Sequence, residues 1–188
     1  MNQTLSFREP VGPRSTMVYG IAIAGEAVAR ALVEHGERVV LADDTVSPEH
    51  HKLAAELGAI LIDGRDEVEI DRQLRIVGRV VPAPGVPEGH RIIAEARALG
   101  IPLMSEIEVA YRLEQERDGG PRPMVGVTGT DGKTTTTLMA AAILNAAGHR
   151  SMAVGNTETP LIAALDSSTQ VFAVECSSFR LAYTEQFR

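Results

Sequence analysis

From residue 16 the chain alternates short apolar runs with longer amphipathic ones. MVY (17–19) predicts a strand that runs into GIAIAG (20–25). A helix follows with Val28, Ala31 and Leu32 on one side and Arg30 and Glu34 on the other, stopping at Gly36. RVVLA (38–42) predicts a second strand, ending at Asp43 and Asp44. SPEHHKLAAELG (47–58) carries the punctuation of a helix: Ser47 at the N-cap, Pro48 in the first turn and Gly58 just past the end. AILI (59–62) predicts a third strand and GRVV (78–81) a fourth, which leads into the proline-rich VPAPGVP. A helix is expected over 88–99, a short strand around IPL (101–103) and a further helix from Ser105. Strand–helix alternation with short turns predicts an α/β fold, a Rossmann-like parallel sheet.

RDGGPRP (117–123) breaks the rhythm, and its two glycines and two prolines suit a linker. Alternation then restarts: strand MVGVT (124–128), a glycine-rich turn, a helix over roughly 134–147, and strands SMAV (151–154) and QVFAVE (170–175). The expected organisation is therefore a first domain over 1–120 and the start of a P-loop α/β domain over 121–188. A P-loop sheet with so few strands leaves apolar edges bare. The first fourteen residues, with Pro10, Gly12 and Pro13, are expected to be an extended lead-in.

Composition narrows the class. The chain is 44% hydrophobic but only 4% aromatic, which suits a core of Ala, Val, Ile and Leu on buried parallel strands. A net charge of −7 offers no electrostatic footprint for nucleic acid. The single cysteine, Cys176, excludes an internal disulfide framework and fits a reducing compartment. No apolar run reaches membrane-span length, and the N-terminus lacks the apolar centre of a signal peptide. A soluble cytoplasmic protein that binds neither nucleic acid nor membrane is the expectation; oligomeric state is left open. The five histidines are scattered away from metal-ligand spacings, so surface positions are expected for them. Cys176 has no catalytic partner in the sequence and is expected to be a buried small residue.

The densest chemistry lies in GVTGTDGKTTTT (126–137). Gly132, Lys133 and Thr134 fill the Gly-Lys-Ser/Thr end of a phosphate loop, while Val127 stands where the pattern wants its first glycine. An apolar strand delivers the chain to a glycine-permitted turn whose backbone N–H groups face an anion at a helix N-terminus. Lys133 would sit against β/γ-phosphate oxygens and the Thr134 hydroxyl on Mg²⁺. An ordinary strand–turn–helix junction needs neither that lysine nor hydroxyls in series. GIAIAG has the G-x-G-x-x-G frame with Ala22 in the middle, and Asp43 follows about twenty residues on, as in dinucleotide sites. A tight turn that only packs helix on sheet explains it equally. VPAPGVP is either a rigid wall at the carboxyl end of a strand or a stiff connection. Glu175, ending a strand, suits a metal near the phosphates, and Ser177 and Ser178 suit either a site or helix caps.

Together these stretches resemble the Mur ligase family. TGTDGKTTT (128–136) is similar to the family's TGTNGK[ST]T loop, in which the Val127 position need not be glycine. GIAIAG is similar to GLGxTG, with Ala22 and Ala24 as departures, and APG (83–85) to SPG. SEIEVA (105–110) is similar to [GS][DE]IEL[AF]. Gly155-Asn156 with Pro160 is similar to GNIGxP, departing at Thr157-Glu158-Thr159. ECSSFRL (175–181) is similar to ELSSFQL, with Cys176 and Arg180 changed. Order and spacing agree across nearly all of 17–188.

The resemblance implies a Mur ligase central domain after the Rossmann-like one. It also implies an ATP- and Mg²⁺-dependent ligase of peptidoglycan precursor synthesis that activates a carboxylate as an acyl phosphate for attack by an amine. The motifs lean towards members that join D-glutamate to UDP-N-acetylmuramoyl-L-alanine. By carry-over Gly129, Thr130, Asp131, Gly132 and Thr135 cradle ATP with Lys133 and Thr134. Lys133 and Glu175 are then the catalytic pair, with Thr134 and Glu175 on the metal. Ile23, Ala24, Asp43, Asp44 and Thr45 fall on the UDP side, beside Ala83 and Gly85. Asn156, Ser177 and Ser178 fall on the muramoyl side. Family members carry a carbamylated lysine and a third, amino-acid-binding domain in segments that would follow Arg188. The expectation is thus an N-terminal fragment that binds substrate or nucleotide weakly and does not complete ligation. A sibling ligase adding another amino acid and a folylpolyglutamate synthetase share the loop, though the UDP-type first domain argues against the latter. A non-catalytic nucleotide-binding module is the alternative from a different class. An NAD-dependent dehydrogenase leaves GTDGKTTTT unexplained.

Overall fold

The alternation becomes two parallel sheets in the computed structural model, which describes residues 15–187. The lead-in expected over the first fourteen residues lies outside the described residues. The first sheet is built from β1 (Ser15–Tyr19), β2 (Arg38–Asp43), β3 (Ile60–Asp63) and β4 (Arg79–Pro82), all parallel and ordered β3-β2-β1-β4. Around it lie α1 (Ile23–Glu34), α2 (Pro48–Leu57), α3 (Glu67–Leu74), α4 (Arg91–Ala98) and α5 (Glu106–Gln115). Strand order turns back at β1, so a crevice opens between the carboxyl ends of β1 and β4, where such sheets hold ligands. The second sheet is β5 (Met124–Val127), β7 (Val171–Glu175) and β6 (Ser151–Gly155), with β7 central and all strands parallel. Helix α6 (Lys133–Ala146), a 3-10 turn at Ile162–Ala164 and α7 (Ser178–Leu181) complete it.

Helix α2 starts and stops where its caps require: Ser47 Oγ accepts the His50 N–H, Pro48 opens the helix and Gly58 closes it in the left-handed region at φ 62°. Three boundaries depart from expectation. Helix α1 begins at Ile23, inside the GIAIAG frame. Helix α4 begins at Arg91 rather than 88, because the His90 ring caps it by accepting the Ile92 N–H. IPL contributes a single bridge, Val80 to Leu103, since Pro102 has no N–H to extend a ladder. Helix α3 was not anticipated. Its Asp66 cap and the buried pair Ile70 and Leu74, four apart, sit within a run of charges that masks the period.

Two apolar clusters form the core, and both join the first sheet and its helices to the later chain. One links Val28 and Leu32 of α1 through Ile107 of α5 to Phe172 and Val174 of β7. The other packs Met17, Val80 and Ile93 with Tyr183 near the chain's end. The expectation of bare apolar surface on the second sheet is met: Leu138, Met139 and Ile143 of α6 and Val125 of the edge strand β5 are exposed. No helix among the described residues is long and apolar enough to cross a membrane.

Three glutamates on α5 are buried, and each holds a piece of the later chain. Glu114 receives Arg122 in a two-pronged ion pair, Nε to Oε1 at 2.7 Å and Nη2 to Oε2 at 2.6 Å. The same guanidinium donates to the carbonyls of Leu165 and Ser167 and lies 4.6 Å from the centre of the Phe172 ring. Glu108 accepts the N–H groups of Glu185, Gln186 and Phe187, and Arg112 Nε at 2.6 Å. Glu106 accepts the Ile162 N–H and Arg180 Nη1.

Burial alone would raise the Glu114 pKa, but the Arg122 hydrogen bonds and charge outweigh it and hold the carboxyl below its ordinary value of 4.5. Its stabilising contribution is therefore complete above that value and lost as pH falls through the lower folded one. Arg122→Ala, which leaves this carboxylate buried and unpaired, is expected to cost about 3–5 kcal/mol in urea unfolding at pH 7. The difference from the parent chain should shrink in the same measurement below pH ~4.

Candidate functional site

The crevice at the switch point of the first sheet is shaped by close approaches. Gly20, at φ 90°, lies where a Cβ would meet the Ala83 Cβ at 2.9 Å, so β1 can turn directly beneath the Ala83–Pro84–Gly85 loop. Gly25 abuts the Gly20 carbonyl, where a Cβ would stand 1.9 Å from the oxygen. The Ala22 side chain gives α1 no cap, which leaves first-turn N–H groups of the helix for another acceptor. The cavity measures about 460 Å³ and is lined by Gly20, Ile23 and Ala24, by Asp43 and Asp44, by Ala83–Pro87, and across from the second sheet by Thr157, Glu158, Pro160 and Arg180.

Its acidic residues are largely engaged. Asp43 accepts the Ile21 N–H at 2.8 Å and the Thr45 N–H at 2.9 Å, stapling the end of β2 to the turn before α1. Asp44 accepts the Tyr19 hydroxyl at 2.5 Å and His90 Nε2 at 3.1 Å. Because His90 Nδ1 accepts the Ile92 N–H, the ring's proton in its neutral form sits on Nε2, facing Asp44. Tyr19, then His90, draw the Asp44 carboxyl below its ordinary value despite partial burial. Burial and the Asp44 charge raise the Tyr19 phenol, which stays protonated as the donor. His90 corrects the expectation of surface histidines: it is a helix cap and a wall of this cavity, its ring 5.0 Å from that of Tyr19. His35, His51 and His149 are exposed, and the half-buried His50 completes a capping box with Ser47.

At the carboxyl end of the second sheet, β5 delivers the chain to the glycine-rich loop before α6. Gly129 takes φ 148° and Gly132 φ 74°, backbone that side chains rarely adopt. Gly132 opens α6 with no side-chain cap. Lys133 curls over the loop, its Nζ donating to the carbonyls of Gly129 at 2.8 Å and Thr130 at 3.0 Å. Thr130, Asp131, Thr134 and Thr135 are exposed, and the hydroxyl of buried Thr137 returns to the Lys133 carbonyl.

Glu175 ends the central strand β7, in register with Val127 on one side and Gly155 on the other. A Cβ on Gly155 would lie 2.5 Å from the Glu175 carbonyl oxygen, so only glycine lets β6 end this close. The Glu175 side chain is buried. Oε1 receives Asn156 Nδ2 at 3.5 Å, the outer limit of a hydrogen bond, and Oε2 has no partner among the described residues. A buried carboxylate oxygen left this way is a place for a cation. The described residues bring together no group of three His, Cys, Asp or Glu, so such an ion would take few protein ligands, as Mg²⁺ does beside phosphates.

The expected residues thus divide. Ile23, Ala24, Asp43, Asp44, Ala83 and Gly85 meet at one cavity. Thr45 touches it only through its bond to Asp43. Asn156 borders Glu175, whereas the Ser177 hydroxyl is used as the α7 cap, accepting the Arg180 N–H at 3.3 Å, and Ser178 is exposed. Sequence reading missed Arg180, which appeared there only as a departure from a motif. Its guanidinium is buried and pairs with Glu106 at 2.5 Å. Burial pushes the Glu106 carboxyl up, and the Arg180 charge is what favours its ionised form.

Several known proteins are similar to this chain. Residues 127–187 match the family model for the Mur ligase middle domain. A UDP-N-acetylmuramoylalanine–D-glutamate ligase from Mycolicibacterium vanbaalenii is 37% identical over 182 residues, covering 96% of this chain and 37% of the relative. A protein of the same name from Frankia casuarinae is 41% identical over 174 residues, covering 89% of this chain and 35% of its own length. The chain therefore spans little more than a third of these relatives. Among solved structures, the UDP-N-acetylmuramate:L-alanyl-gamma-D-glutamyl-meso-diaminopimelate ligase from Neisseria meningitides superposes with a TM-score of 0.51 at 20% identity, over 87% of this chain and 52% of that one. That likeness is one of fold.

Cys176, as expected, is buried, and burial pushes its thiol up to about 11. At pH 8 it should resist a disulfide reagent such as Ellman's in the folded chain and react fully once urea unfolds it. Rapid labelling of the folded chain would contradict the packing of β7 on β5.

Proposed function

We propose that the chain, whose residues 127–187 match the model of the Mur ligase middle domain, is the uridine-nucleotide- and ATP-binding part of a ligase joining D-glutamate to UDP-N-acetylmuramoyl-L-alanine. The observation that carries the reading is the pairing, at the end of one sheet, of an uncapped glycine loop with a buried carboxylate oxygen that has no partner. A loop alone would bind any phosphate. A loop beside an orphaned acid suits a triphosphate with its cation.

In this reading the residues divide the work. The Gly129–Gly132 backbone and the first turn of α6 hold the phosphates, and Lys133 exchanges its two loop carbonyls for phosphate oxygens. Thr134 and Glu175 fit Mg²⁺, which supplies charge neutralisation between two mutually repelling anions, the triphosphate and the substrate carboxylate. The carboxylate oxygen attacks the γ-phosphorus with departure of ADP. The amine of D-glutamate then attacks the acyl carbon, and inorganic phosphate leaves from the tetrahedral adduct. The first-sheet cavity holds the uridine diphosphate portion, with the α1 N-terminus as the seat for the diphosphate. In this reading the work is done in the cytoplasm, where ATP is available.

Calorimetric titration of the chain with UDP-N-acetylmuramoyl-L-alanine, with UDP-N-acetylmuramate and NAD⁺ in parallel, tests the reading. Preference for the alanyl compound is the expected result; binding of NAD⁺ alone would sink it. In the same apparatus Lys133→Ala should abolish detectable Mg·ATP binding. Glu175→Gln should leave metal-free ATP binding unchanged while removing the gain that Mg²⁺ brings.

A further inference from the structure

The cavity of the first sheet contains an arginine that the reaction described above does not use. Arg180 lines it from the second sheet, with its side chain only 5% exposed. A guanidinium carries five N–H donors, yet the side chain makes one hydrogen bond among the described residues, Nη1 to Glu106 Oε2. Nε is buried with no partner. Glu106 is itself fixed, its other oxygen accepting the Ile162 N–H at 2.7 Å. The arginine is thus held from behind by a rigid carboxylate and left short of acceptors on a cavity wall. Buried donors in that condition favour an incoming oxygen, and a charged one most.

The identity of that oxygen follows from the layout. The uncapped end of α1 lies on the first-sheet side of the cavity and offers amides to a diphosphate. Arg180 belongs to the opposite side and lies in α7, shortly after Glu175 at the end of β7. An anion at Arg180 is therefore the far end of the ligand, on the side of the phosphate loop. The acids sharing the cavity do not take its place: Asp43 and Asp44 are engaged by their own donors, and Glu158 is exposed.

We propose that Arg180, oriented by Glu106, is a specificity residue that recognises the terminal carboxylate of the UDP-linked substrate; this rests on the reading that the cavity binds that substrate. The test compares UDP-N-acetylmuramoyl-L-alanine with its C-terminal carboxamide, which keeps the shape and removes the charge. The chain should bind the carboxylate about ten-fold more tightly, the scale of one charge-assisted hydrogen bond. Arg180→Gln should bring both compounds to the affinity of the carboxamide. Because that change strands Glu106 as an unpaired buried charge, the double variant Arg180→Gln/Glu106→Gln, which removes both charges, carries the same prediction. Equal binding of the two compounds by the parent chain, or discrimination retained in the double variant, overturns the proposal and leaves the substrate reading standing. Binding of neither compound by the parent chain overturns that reading, and the proposal with it.

Discussion

Helix α5 is the post on which the second sheet is hung. Carboxylates are rarely buried unless paired, because each loses its hydration on leaving water. Glu106, Glu108 and Glu114 are all buried, and their partners come from the later chain: Arg180 and the Ile162 amide, the amides of 185–187, and Arg122. Any other orientation of the second sheet would strand charge in the interior. Apolar packing between α1, α5 and the 3-10 turn adds area, but it is non-directional. Fork-shaped pairs such as Glu114 with Arg122 specify angle as well as distance.

That constraint explains why the cavity exists as one site. Its floor belongs to the first sheet and its far wall, Thr157 to Pro160 with Arg180, to the second. Glu106 connects the two, since one of its oxygens holds the Ile162 amide just beyond that wall and the other holds Arg180. The region of the glycine-rich loop depends on a different close fit. Gly155 lets β6 end against the backbone of Glu175, and the Asn156 N–H donates to the Glu175 carbonyl at 3.0 Å. The carboxylate is therefore buried at a strand end without being consumed by the fold.

What the sequence displayed were features with a local cause. Ser47, Pro48 and Gly58 announce α2 because caps act within one turn, and the apolar runs of β1, β2 and β7 announce buried parallel strands. The glycine-rich turn before α6 is legible because its glycines take backbone that side chains rarely adopt. What stayed hidden had a distant cause. Helix α3 is short and highly charged, and its Ile70 and Leu74 gain meaning only once the sheet covers them. His90 reads as a lone surface residue until Asp44 and Tyr19 arrive beside it. Arg122 sits in a run whose glycines and prolines signal a loose connection, yet it is among the most tightly held side chains of the described residues. Arg180 reads as a deviation until Glu106, far earlier in the chain, supplies its reason.

A net charge of −7 is at first sight a poor setting for the anionic ligands proposed above, and the site geometry resolves the difficulty. Long-range repulsion fades over a Debye length of about 8 Å at physiological salt, so the groups within direct reach decide affinity. Of the acids at the cavity, Asp43 is engaged by two amides and Asp44 by a phenol and an imidazole, while Glu158 is exposed to solvent. The open donors are the opposite kind: helix N-termini without caps at Ala22 and Gly132 and the Arg180 guanidinium, joined by the Lys133 ammonium once it leaves the Gly129 and Thr130 carbonyls. A net negative charge adds no long-range attraction for a polyanion, yet it leaves room for short, oriented contacts to the small anionic ligand proposed above. The acidic surface and the donors at the two helix starts act over different ranges of the same force.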